Sequence, residues 1–151
     1  MKTIKQAVYF LSKSGASVSA VILVFMILHI LVEIVLRSFF ATSTYVLDEF
    51  VGYGIAAMTF LSMGYALENG SLIRVNLLLS RLGTKIRKYL ELFCLSITAI
   101  IFGFLMKYFW AGVFYRDFVR GTVSSSISEI PLWIPEGLVL IGMVLFMISL
   151  V

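Results

Sequence analysis

One cysteine, one histidine and two prolines are all that 151 residues contain of these types. The lone Cys94 excludes an intrachain disulfide, and within its apolar run it reads as a small buried hydrophobe. The lone His29 excludes a haem held by two histidines of one chain, and a histidine metal cluster. There is no nucleophile beside a base, no phosphate loop and no metal cluster, so neither a catalytic residue nor a cofactor nor a metal is expected. Charge is scarce as well. Only 13% of the residues are charged, against 61% that are hydrophobic. Repeats, low-complexity tracts and linkers are missing, and the length suits a single domain over 1–151.

What is present is apolar surface. The mean hydropathy is +1.06, and a soluble domain of this length has too little interior to hide so much of it. A bilayer supplies the missing solvent. Its hydrocarbon core of about 30 Å is crossed by about 20 apolar residues in a helix. Four stretches have that length, at about 16–36, 50–67, 89–110 and 132–151. The first is preceded by Lys2, Lys5 and Lys13, as a secretory signal would be. Its apolar run is too long for one, it contains His29 and Glu33, and no small-x-small cleavage site follows, so a retained helix is expected. The last stretch ends at Val151, where a short basic tail would ordinarily follow.

The cations orient these spans. Lys2, Lys5 and Lys13 lie before the first, and Arg74, Arg81, Lys85, Arg87 and Lys88 lie between the second and third. The other side holds Arg37, Lys107, Arg116 and Arg120, opposed by Asp48, Glu49, Asp117 and Glu129. The positive-inside rule therefore places both termini and the second connection in the cytoplasm. The same rule accounts for the pI near 9.3 without nucleic acid. Tyr108, Phe109, Trp110, Phe114 and Tyr115, with Trp133 across the loop, form the expected outer aromatic belt.

The second connection has a pattern of its own. On a helical projection Val75, Leu78, Leu79, Leu82, Ile86, Tyr89 and Leu90 fall within about 120°, while Arg74, Arg81, Lys85 and Lys88 fall in a neighbouring arc of about 60°. Leu77 departs from the pattern, and Gly83 is a break point. The spacing predicts an amphipathic helix over about 75–88 lying in the cytoplasmic interface. Its leucines would face the acyl boundary and its cations the anionic headgroups. The fold class is thus all-α integral membrane, four transmembrane helices with an in-plane helix between the second and third.

These residues also carry a resemblance. Asp48-Glu49 open the second span. Gly52, Gly54, Ala56, Ala57, Gly64 and Ala66 populate it, and Gly70-Ser71-Leu72-Ile73-Arg74-Val75-Asn76-Leu77-Leu78 follows. Ile130-Pro131-Leu132-Trp133-Ile134-Pro135 precede the last span. Over nearly its whole length the chain resembles the small permease subunit (Q, or DctQ-type) of the TRAP transporters, the tripartite ATP-independent periplasmic transporters. Leu72 stands where that family often has histidine, and Asn76 where it often has aspartate. The resemblance implies a bacterial inner-membrane, multi-pass subunit. Its partners would be a large elevator-type permease subunit (M) carrying the substrate and sodium sites, and a periplasmic binding protein that hands over an organic anion such as a dicarboxylate, keto acid or sialic acid. The small subunit would be a static scaffold.

A few polar residues are candidates for interfaces or for chemistry. His29, Glu33 and Arg37 recur at i, i+4 and i+8 and share one helix face. Three uses fit them: a proton or substrate site on Glu33, local pairing with snorkelling to water, or polar contact with a partner helix. Asp48 and Glu49 complement the dipole of the second helix, and they stand where a periplasmic protein would dock. Glu136 and Pro135 repeat that arrangement in the fourth. Lys107, about one turn from the outer boundary, is expected to snorkel. Glu68 could pair with Arg74, and Glu91 with Lys88 or Arg87. Gly52-x-x-x-Ala56 and Ser62-x-x-x-Ala66 allow close helix approach. The interface candidates for a partner or for lipid are therefore His29, Glu33, Arg37, Asp48, Glu49, Gly52, Ala56, Arg74, Asn76, Arg81, Lys85, Lys88 and Trp133. The rival to a scaffold is an autonomous four-helix proton-coupled transporter that uses Glu33.

Overall fold

The computed structural model describes residues 2–70 and 84–150. Helix α1 runs Lys2–Phe40 and α2 Leu47–Glu68. Helix α3, Thr84–Phe109, passes through one π-helical turn, Trp110–Phe114, into α4, Tyr115–Arg120. Helix α5 is Trp133–Ser149. Among the described residues no strand forms. A single antiparallel bridge, Val123 to Pro131, pinches the neck of the loop between α4 and α5.

Among the described residues, three helices have the length and apolarity to cross a membrane: those containing Lys5–Phe40, Leu47–Glu68 and Lys88–Arg120. Helix α5 is equally apolar but has 17 residues, about 25 Å at 1.5 Å per residue, shorter than the 132–151 span expected. Helix α1 departs in the opposite direction. Its 39 residues extend about 58 Å, so Lys5 and Lys13 lie on the helix itself and not on a preceding tail. Residues 84–88, assigned above to an in-plane helix, form the first turn of α3. The remainder of that expected helix, with Arg74, Asn76 and Arg81, lies outside the described residues.

The helix ends follow from local chemistry. Helix α1 ends where Ala41 takes φ 51°, and the Thr42 amide closes the turn by donating to the Leu36 carbonyl at 3.3 Å. Helix α4 ends at Gly121, φ 60°, with the Thr122 amide donating to the Asp117 carbonyl at 3.1 Å. That i to i+5 bond around a left-handed glycine is a Schellman stop. At the end of α2 the Asn69 side-chain amide donates to the Tyr65 carbonyl at 2.9 Å.

Helices α1, α2 and α5 pack together, and α3 joins them chiefly through α5. The centre of the bundle is the backbone at Leu61. A Cβ added to Gly142 of α5 would lie 2.5 Å from the Phe60 carbonyl carbon and 2.7 Å from the Leu61 nitrogen. One added to Gly15 of α1 would lie 2.9 Å from the Leu61 carbonyl oxygen. Two glycines thus bring α1 and α5 onto the same turn of α2. Such close approach matters in lipid, where burial of apolar surface no longer drives helices together. Around this junction lie Met26, Ala57, Leu61, Val139, Leu140, Met143 and Phe146, all buried. The periphery is different. No residue from Lys88 to Arg116 is buried, and Cys94, expected in a core, is exposed on α3.

Candidate interaction surface

The polar side chains gather at the two ends of the bundle. At one end the start of α1 meets the last turns of α2 and α5. The Ser12 hydroxyl donates to Glu68 Oε1 at 3.1 Å and lies 2.8 Å from the Ser149 hydroxyl. Glu68, expected to pair with Arg74, is thus engaged within the bundle. Two turns further along, the Ser19 hydroxyl donates to the Met58 carbonyl at 3.0 Å.

At the other end Glu33 is 1% exposed, and both its oxygens are in use. Oε1 accepts from Arg37 Nε at 2.9 Å and from the Ser43 hydroxyl. Oε2 accepts from the Thr44 amide at 3.1 Å and the Thr44 hydroxyl at 2.6 Å. Four donors from one helix turn and the adjoining loop therefore hold a single carboxylate. The Arg37 side chain stays 60% exposed and reaches outward, as a snorkelling residue does. His29, one turn below, packs edge-on to Phe50 with ring centroids 5.5 Å apart, and lies 6.3 Å from Phe25. Glu33 and Ser12 are 21 positions apart on one helix, which is about 31 Å, one hydrocarbon thickness. The two polar levels match the two faces of a bilayer.

A second carboxylate, Glu49, fastens the long loop between α4 and α5. Glu49 Oε1 accepts from the Tyr53 hydroxyl at 2.8 Å. Its Oε2 accepts from the Ser126 hydroxyl, and from the Ser128 hydroxyl at 2.8 Å. The loop backbone is closed by the Ser124 amide on the Ile130 carbonyl, 2.9 Å, and the Leu132 amide on the Thr122 carbonyl, 3.1 Å. Ile127 is left at the tip, 78% exposed. A third carboxylate, Asp117, is buried. It accepts from Arg116 Nε at 2.9 Å and from the Thr122 hydroxyl at 3.1 Å, and Glu136 of α5 lies against it.

The interface candidates separate accordingly. Glu33 and Arg37 are brought together, and Glu49 is tied separately to Tyr53 and the 124–128 loop. Asp48, next to Glu49, is exposed. Gly52 is exposed with open space around it, and Ala56 is half-buried, so the close approaches occur at Gly142, Gly15 and Gly64 instead. Trp133 packs edge-on to Phe118 at 5.9 Å, ending an aromatic series that runs from Trp110 to Phe114 and Phe118. Lys88 is exposed at the start of α3. Arg74, Asn76 and Arg81, and the side chain of Lys85, lie outside the description. Sequence reasoning missed the serines. The run Ser124-Ser125-Ser126-Ile127-Ser128 was a visible signal, since clustered hydroxyls in an outer loop are donors for an acid at a helix start.

Four carboxylates thus join the chain's own elements, and the long flanks of α1 and α3 stay apolar and uncovered. Residues 26–151 match the sequence profile described as Tripartite ATP-independent periplasmic transporters, DctQ component. The chain belongs to the DctQ family. It is therefore a small subunit of a TRAP transporter and a multi-pass membrane protein, and the family implies association with the large permease and a binding protein. DctQ is a transporter-component family and not an enzyme family, in line with the missing catalytic signatures. Comparison with curated proteins and with solved structures gave no match.

Proposed function

We propose that this DctQ subunit is the static scaffold of a sodium-driven importer of organic anions in the bacterial inner membrane. It stands beside the elevator-type permease, which moves the substrate, and the periplasmic binding protein delivers a carboxylate-type anion to the pair. Both termini and the basic connection face the cytoplasm, and the loop at Ile127 faces the periplasm. By their charge, the basic residues Arg74, Arg81, Lys85 and Lys88 suit anionic headgroups.

The observation that carries this reading is the engagement of Glu33. A transport site near the bilayer midplane needs polar groups free to change partners. Glu33 lies at one end of the bundle, held by four donors from its own helix turn and the adjoining loop. The autonomous transporter centred on Glu33 loses its proton carrier on this geometry. The test is a pull-down of tagged subunit from detergent-solubilised membranes, followed by uptake in liposomes. A stoichiometric large permease, with sodium-dependent uptake only when all three components are present, is expected. Recovery of the subunit alone, or uptake by the subunit alone, would overturn the scaffold reading.

A further inference from the structure

Two carboxyl groups meet where α4 passes the start of α5. Asp117 belongs to α4 and is 3% exposed. Glu136 belongs to the first turn of α5 and lies against it. The donors around them are divided unequally. Asp117 accepts from Arg116 Nε at 2.9 Å and Nη2 at 3.3 Å, and from the Thr122 hydroxyl at 3.1 Å. Glu136 Oε2 is buried, and among the described residues it has no hydrogen-bond partner.

An ionised carboxylate can only accept hydrogen bonds. Two ionised carboxylates in contact therefore make no bond, and away from water they repel each other. One proton reverses this, because a protonated carboxyl has an O–H to donate to its neighbour. The surroundings decide which of the two carries it. Asp117 has the Arg116 guanidinium and the Thr122 hydroxyl to stabilise its charge. Glu136 has only the partial charge at the start of α5 to set against its desolvation. The other titratable group near it is Tyr53 on α2, whose hydroxyl already donates to Glu49 at 2.8 Å. Helix α5 has no second charged residue.

We propose that Asp117 and Glu136 form a one-proton latch between α4 and α5, with Glu136 as the protonated member that donates to Asp117. Helix α3 continues through the π-helical turn into α4, and it reaches the bundle chiefly through α5. The other contacts along that seam, Phe102 on Phe146 and Phe114 on Gly137, are apolar. The latch makes the seating of α4 on α5 depend on pH. When the proton leaves to water, the pair carries two negative charges against the single positive charge of Arg116, and the contact becomes repulsive. The latch is closed on the acidic side and opens as pH rises. On the proposed orientation the proton exchanges at the periplasmic face. Titration of the full-length subunit in detergent reads the pair whichever way the chain is oriented.

Infrared spectroscopy and thermal melting of that full-length subunit, from about pH 6 to about pH 9, span the range above the ordinary glutamate value. Wild type should show the carbonyl stretch of a protonated carboxyl that fades as pH rises, with a fall of a few degrees in melting temperature over the same range. Glu136→Gln keeps an N–H donor towards Asp117 that does not titrate. It should lack the fading band and melt above wild type at the alkaline end. His29 and every other titrating group are present in both proteins, so the difference between the two profiles belongs to Glu136. Asp117→Asn removes the repulsion and leaves Arg116 without its carboxylate, so the Glu136 band should fade at lower pH than in wild type. Absence of the band from wild type would overturn the proposal. So would the same pH profile in wild type and Glu136→Gln, or an unmoved band in Asp117→Asn.

Discussion

Glu33 is a structural acid with a periodicity that suggests chemistry. Its spacing with His29 and Arg37 is what a proton path on one helix face would show. Its partners make it the clamp of the turn between α1 and α2 instead. Glu33→Gln removes the charge and turns one acceptor into a donor facing Ser43, Thr44 and Arg37, all of which donate to it. The expected result is a lower melting temperature in detergent, with uptake per assembled complex unchanged. A loss of uptake per complex would return Glu33 to transport. Ala41 in the same turn holds φ 51°, a region that costs an L-residue roughly 1 kcal/mol. Ala41→Gly should therefore stabilise the subunit by about that amount, read as a small rise in melting temperature. Glu49 clamps the outer loop through Ser126 and Ser128. Glu49→Ala should release it, and trypsin should then cut faster after Arg120 in right-side-out vesicles. Unchanged cleavage would mean that the backbone bonds at Ser124 and Leu132 suffice.

Among the elements, α2 and α5 make the closest pair and α3 is the least supported. The α2–α5 contact rests on Gly142, where an added Cβ would run into the Phe60–Leu61 backbone. Gly142→Val has to push that backbone away, and overpacking of this kind costs about 1–3 kcal/mol. Thermal melting of the detergent-purified subunit measures the loss. The matching change Gly52→Val enters open space and should leave the subunit's own stability nearly unchanged. Equal melting of both variants would show that the bundle does not close around Leu61. The π-helical turn at Trp110–Phe114 has a clear position in this arrangement. It sits opposite Gly137 of α5, and its wider turn accompanies the stacking of Trp110 on Phe114, 5.4 Å apart.

For the molecule as a whole, the two polar levels lie about one hydrocarbon thickness apart. Ser12, Glu68 and Ser149 mark one face, and Glu33, Glu49 and Asp117 mark the other. On the proposed orientation Ile127 is periplasmic and Lys5 cytoplasmic. In a Cys94→Ala background, Ile127→Cys should label with a membrane-impermeant maleimide in intact spheroplasts. Lys5→Cys should label only after permeabilisation, and the reverse pattern would invert the topology. The uncovered flanks of α1 and α3 belong to this scale too. A bundle joined by internal carboxylates leaves these long apolar sides exposed.

Sequence alone determined the solvent, the helical class and the family. A chain that is 61% hydrophobic with 13% charged residues has to satisfy its backbone internally in lipid, and helices do so within each segment. The Arg74 stretch and the Pro131–Pro135 stretch carried the resemblance to DctQ subunits. Span positions were legible to within a few residues for α2. They were less so for α1 and α3, because a helix continues past the hydrocarbon boundary wherever its backbone bonds remain better than the loop's. Only the tertiary structure decided which glycines matter. Gly52-x-x-x-Ala56 and the position of Gly142 look alike in one dimension, and close approach depends on what stands opposite. It also decided the partners of the acids. Glu33, Glu49 and Glu68 are bound by hydroxyls from distant turns and loops, and hydroxyl-to-carboxylate bonds leave no charge pattern in a sequence.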